Sequence, residues 1–109
     1  MYEDAKLDYE TEERDRALLV QSILAEVAHT LFQAEAKHPG WPDDPFHALA
    51  IIGEEFGELQ QACLQHTYEG RGSIEDVDGE ALQTAAMAVR FLLALRRDKM
   101  KFVPADQVW

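Results

Sequence analysis

From about Thr11 to Lys37 the sequence contains neither Gly nor Pro, and apolar residues recur at Ala17, Leu18, Val20, Ile23, Leu24, Val27, Leu31, Phe32 and Ala34. That spacing predicts one long amphipathic helix. It must stop at HPGWPDDP, because Pro39, Gly40, Pro42 and Pro45 cannot share a helix interior. Asp44 followed by Pro45 pairs an N-cap with a first helical residue, so a second helix is expected from there to about Tyr68. Its apolar positions are Phe46, Leu49, Ala50, Ile52, Phe56, Leu59, Cys63 and Leu64. EGRGS breaks this pattern, and Ser73 with Asp76 resembles a capping box that opens a third helix reaching roughly Arg97. Arg96 and Arg97 give that helix the basic end its dipole favours.

No strand-like alternation, internal repeat or low-complexity segment interrupts the three blocks. The expectation is a single all-α domain over residues 1–109, built of long antiparallel helices, with 1–10 and 103–109 as flexible or docking tails. The tail is expected to be extended after Pro104, with Trp109 docked or disordered. Apolar residues such as Phe91, Leu92, Leu93 and Leu95 exceed what one three-helix layer covers. A bundle completed by a homodimer or homotetramer is therefore expected.

The chain carries 21 acidic residues against 10 Lys and Arg, a formal net charge of -11. Such a surface repels duplex nucleic acid and anionic membranes, and repels a phosphorylated substrate unless a cation intervenes. The single cysteine, Cys63, excludes an internal disulfide and fits a reducing, cytoplasmic setting. The acidic start lacks the basic and apolar regions of a signal peptide, and no apolar run is expected to approach the length of a membrane span.

The segment GEEFGEL sets Glu54, Glu55 and Glu58 in a helix that is otherwise largely apolar. Glu58 lies three residues from Glu55 and four from Glu54, so it shares a face with both, and their repulsion costs a bare helix some tenths of a kcal/mol per pair, on the order of 0.3. A solvated face would tolerate this. The register of Leu49, Ile52, Phe56, Leu59 and Cys63 instead leaves the glutamates at the margin of the apolar face, where carboxylates can hold a hard cation such as Mg²⁺. A short connection would bring the start of the third helix alongside, with Glu80 as the last carboxylate before its apolar stretch.

E-x-x-E on one helix and E-x-x-D on the next resembles the signature of the all-α nucleoside triphosphate pyrophosphatases, the MazG-like superfamily. The likeness covers roughly Trp41 to Leu95 and is most specific around HALAIIGEEFGELQQA. It implies hydrolysis of a nucleoside or deoxynucleoside triphosphate to monophosphate and pyrophosphate, with Mg²⁺, or Mn²⁺ in its place, as cofactor. Glu55, Glu58 and Glu80 are then the catalytic and metal-binding carboxylates, and Glu55 is a candidate general base. Glu54 falls where similar proteins can carry a small residue. In the register set by the apolar stretch, Gln83 stands where the family has an aspartate, so it joins the metal set without a charge. Asp76, one turn before Glu80, is a partial replacement. The alternative register, Glu75 with Asp78, is separated from the apolar stretch by Gly79.

Trp41, His47 and Arg71 are candidate substrate-binding residues. His38 and Phe46 occupy the same joint as Trp41, where similar proteins build a base pocket, although Trp41 and Phe46 also suit a helix-entry core. Lys99 and Lys101 are further candidates for phosphates, and Arg90 for an interface. Glu26 with His29 and Glu35 with His38 have di-iron spacing, but both fall on one helix where such sites need two. No Gly-rich phosphate loop or Cys/His nucleophile pair is present. Because Gln83 lacks a charge, a second reading stays open: a MazG-like fold with weakened turnover, acting as a nucleotide-binding or acidic protein-binding regulator.

Overall fold

A computed structural model describes residues 2–98 and 100–107, which leaves Met1, Lys99, Val108 and Trp109 outside. Three helices follow in order: α1 over Tyr2–Lys37, α2 over Pro45–Thr67 and α3 over Ile74–Arg96. No strand occurs among the described residues. The expected joints hold. Asp44 accepts the Phe46 amide at 2.9 Å with Pro45 at the first helical position, and Ser73 and Asp76 close a reciprocal capping box at 3.1 and 2.9 Å. Between them the chain turns through Gly70 and Gly72, whose φ of 62° and 77° place them where a Cβ would be strained.

Two outcomes differ from expectation. The first helix begins at Tyr2 and not near Thr11, and a short 3-10 turn, Ala105–Gln107, follows Pro104 where extended chain was expected. Nothing in residues 1–10 breaks a helix, and Asp and Glu near its start suit the dipole. The Trp109 and Lys99 expectations fall outside the described residues.

The short α2–α3 connection folds these helices back on one another, and α3 packs against both α2 and α1. The main cluster joins Val27 and Leu31 of α1 to Ala86 and Met87 of α3, with Ile51 and Ile52 of α2 against them. A second cluster holds Ala48, Ala94 and Met100. Trp41 packs against both, which fixes the α1–α2 joint. Arg90, 6% exposed, donates to the carbonyls of His38 at 2.7 Å and Gly40 at 3.3 Å and lies 4.9 Å from the Trp41 ring centre. Arg90 is thus a tie between α3 and the joint.

The first part of α1 has no such partner. Every residue from Ala5 to Glu26 is exposed, and the radius of gyration is 19.0 Å, against about 13 Å for a globular chain near 100 residues. By length and composition α1 is apolar enough to cross a bilayer, with an 18-residue window of mean hydropathy 1.3. The sequence shows no unbroken run of that length because Gln21, Glu26 and His29 interrupt it, and an average passes over them. Val27, Thr30 and Leu31, within the same helix, are core residues packed in the bundle.

Candidate metal centre

Glu55 and Glu58 stand one turn apart on α2, and the capping box at Ser73 starts α3 in the register that turns Glu80 towards them. One oxygen from each of the three carboxylates lies within 4.8 Å of the others. Of the two registers considered for the second motif, only Glu80 with Gln83 meets the α2 glutamates: both line a cavity of about 440 Å³ with Glu55 and Glu58. Glu75 and Asp78 are exposed and lie outside that group. Asp76 is engaged at the cap, where its carboxylate accepts the Ser73 amide.

The electrostatics are those of carboxylates held together against their repulsion. Burial raises the Glu55 carboxyl above its ordinary value, and the charges of Glu58, Glu80 and Glu54 raise it further. Burial likewise raises Glu80, followed by the charge and direct approach of Glu58 and then the charge of Asp76. The Glu58 contact does not satisfy all of Glu80, because its Oε2 is shut from solvent with no hydrogen-bond partner. A buried carboxylate oxygen without a partner is costly, and a cation removes that cost.

The arrangement suits a hard divalent cation. Oxygens on an octahedral Mg²⁺ stand about 3 to 4 Å apart given bonds of about 2.1 Å, and the three carboxylate oxygens gathered within 4.8 Å come near that spacing. The residues available are Glu55, Glu58 and Glu80, with the Gln83 amide oxygen beside them.

The α1 wall of the cavity holds Gln33, Lys37 and His38. His38 belongs to the joint singled out in the sequence, whereas Gln33 and Lys37 were missed. Their four-residue spacing on the last turns of α1 puts them on one face, but only the packing of α1 on α3 shows that this face looks at the glutamates. The other proposed ligand contacts lie elsewhere. Trp41 sits between the two core clusters, and His47 is exposed near the start of α2 and does not line the cavity. Arg71 pairs with Glu69 at 2.9 Å, and Lys101 with Asp43 at 3.0 Å.

Several α2 residues expected to face the core do not. Leu49 and Phe56 are 49% and 50% exposed, and Cys63 is exposed rather than set among apolar neighbours. Ala48, Ile51, Ile52 and Leu59 take the buried side, with Glu55 half-buried among these positions. No family model matches this chain, and no curated protein or solved structure matches it either.

Proposed function

We propose that this chain is a Mg²⁺-dependent nucleotide pyrophosphohydrolase of the MazG-like kind, converting a nucleoside or deoxynucleoside triphosphate and water to the monophosphate and pyrophosphate. The observation that carries this reading is the convergence of Glu55, Glu58 and Glu80 from two helices in one cavity, with an unsatisfied carboxylate oxygen among them. A triphosphate cannot approach three bare carboxylates, which makes the cation a condition of binding.

When bound, a divalent cation supplies charge neutralisation for the phosphates and a lower pKa for the water it holds. Glu55, Glu58 and Glu80 would hold it from the two helices, with Gln83 adding a carbonyl oxygen. Glu55, half-buried and with its carboxyl raised by burial and by its neighbouring glutamates, would also accept the proton of the attacking water. The water oxygen bonds to the α-phosphorus, the bond from that phosphorus to the bridging oxygen breaks, and pyrophosphate leaves.

Self-association belongs to the same reading. Between Ala17 and Leu24, apolar side chains project around the whole circumference of α1 and all are exposed. A helix apolar on all sides is ordinarily surrounded, and a second copy of this chain provides the matching surface. Mn²⁺ is an acceptable substitute for Mg²⁺ at an oxygen site.

The competing reading, a nucleotide-binding or protein-binding regulator with weakened turnover, is favoured by Gln83, which lines the cavity without the charge of a fourth carboxylate. The test is incubation of the purified protein with a panel of ribo- and deoxynucleoside triphosphates plus Mg²⁺ or Mn²⁺, with pyrophosphate as the readout. Release by wild type and not by Glu58→Ala is expected. No release, or equal release by the variant, removes the enzyme reading.

A further inference from the structure

The cavity has two chemically different walls. Glu55, Glu58, Glu80 and Gln83 form one, on α2 and α3, while Gln33, Lys37 and His38 form the other, on the last turns of α1 and just beyond. Lys37 brings an ammonium to a chain with a net charge of -11, yet it makes no ion pair among the described residues. Lys37 lines the same cavity as three glutamates and forms no ion pair with any of them within 4.0 Å. Gln33, four residues earlier, adds an amide to the same wall.

We propose that Lys37 is the anion-contacting residue of this site, holding the pyrophosphoryl end of a ligand whose other side is bound through the cation at Glu55, Glu58 and Glu80. The assignment rests on the metal-centre reading above. A ligand spanning the cavity meets carboxylates on one wall and an ammonium on the other. A metal-chelated diphosphate group matches both, since it shares its cation with the glutamates and presents free oxygens to Lys37. A neutral ligand would leave the ammonium unused, and a lone cation would leave it facing like charge. On the opposite wall, the Oε2 of Glu80 is shut from solvent without a hydrogen-bond partner, as a site completed by a cation would leave it.

The experiment separates the two claims by measuring metal and anion apart. Mn²⁺ uptake is followed by the paramagnetic resonance of free Mn²⁺, and binding of inorganic pyrophosphate at saturating Mn²⁺ is followed by calorimetry. Wild type, Lys37→Ala, Lys37→Gln and Lys37→Arg are compared, with circular dichroism to verify that each is folded. The exposed position of Lys37 at a helix end tolerates all three substitutions. Lys37→Ala and Lys37→Gln are expected to take up Mn²⁺ at least as well as wild type and to bind pyrophosphate about ten-fold more weakly. Lys37→Arg, which keeps the charge, is expected to stay within about three-fold. Normal Mn²⁺ uptake with unaltered pyrophosphate affinity in Lys37→Ala overturns the Lys37 assignment alone. A wild-type protein that takes up no Mn²⁺ overturns the metal centre, and Lys37 with it.

Discussion

Glu58 of α2 and Glu80 of α3 face each other across the helix pair, with ligand oxygens within 4.8 Å and no Lys or Arg paired to either among the described residues. Their repulsion is a standing cost to the metal-free fold. Glu80→Gln is therefore expected to raise the stability of the metal-free protein by roughly 0.5 kcal/mol, while removing most of the thermal stabilisation that Mn²⁺ gives wild type. Melting curves with and without Mn²⁺ check both halves. A wild type indifferent to Mn²⁺ would count against the centre itself.

Burial of these carboxyls, and after it the same repulsion, sets a pH dependence. Glu55 and Glu80 are raised above the ordinary value of 4.5, so in this window the folded chain holds more protons than the unfolded one. The stability they contribute is complete below that ordinary value and is lost as pH rises through their folded values. Denaturant titrations of the metal-free protein should show this loss from about pH 4.5 upward, and Glu55→Gln/Glu80→Gln should flatten it. Mn²⁺ affinity should run the other way, weakening as pH falls and these carboxyls protonate.

The limits of α2 and the start of α3 were legible because local chemistry sets them, Asp44–Pro45, Ser73 with Asp76, and the glycines between, whereas the start of α1 at Tyr2 was not. Glu55 and Glu58 were legible as neighbours because i, i+3 spacing puts two residues on one face of any helix, whereas Gln83 was reached only through the resemblance of its register to the E-x-x-D pattern. The orientation of α2 was harder to read. Leu49 and Phe56 have the periodicity of a core face, but periodicity does not say whether the covering surface lies within the chain, and here Ala48, Ile51 and Ile52 take the inner side. The placement of Lys37 depends on how α1 lies on α3, a tertiary fact that spacing along α1 does not contain. Trp41 met both a ligand and a core criterion, and the cation of Arg90 over its ring, with packing on both clusters, makes it a core residue here.

Arg90 carries the joint that presents His38 to the cavity. Arg90→Met keeps much of the volume but strips the donors from the His38 and Gly40 carbonyls and the cation from Trp41. A loss of about 2–4 kcal/mol is expected from the buried Arg90 and these part-buried contacts together, read as a lower urea midpoint. Arg90→Lys should recover part of it, since one ammonium can reach one carbonyl but does not reproduce the planar fork. A loss below about 1 kcal/mol in Arg90→Met would mean that the joint is held by packing alone.

Gln83→Asp tests the register directly. A fourth carboxylate on the α3 wall should tighten Mn²⁺ binding by about ten-fold, and should lower the stability of the metal-free protein by adding to the repulsion at Glu58 and Glu80. The two effects have opposite signs, so a general change in folding does not mimic them. Unchanged Mn²⁺ affinity would place Gln83 outside the metal's reach. If the substitution also raises pyrophosphate release, the glutamine is what limits turnover.

The exposed span of α1 makes the last prediction. Leu18, Leu19 and Leu24 are 58%, 61% and 61% exposed, and none of them belongs to either core cluster. Burying one leucine of this kind is worth about 1.5–3 kcal/mol, so several in each of two copies outweigh the roughly 4–15 kcal/mol that association costs. Sedimentation equilibrium should find wild type as a dimer or larger at micromolar concentration. Leu19→Glu with Leu24→Glu should shift it towards monomer, because carboxylates cannot be buried against the apolar surface of a second copy. These positions lie outside the clusters that join α1, α2 and α3. Loss of assembly should therefore leave Mn²⁺ uptake at Glu55, Glu58 and Glu80 in place if the centre is built within one chain. A monomeric wild type would instead leave α1 without its second copy and remove self-association from the proposed function.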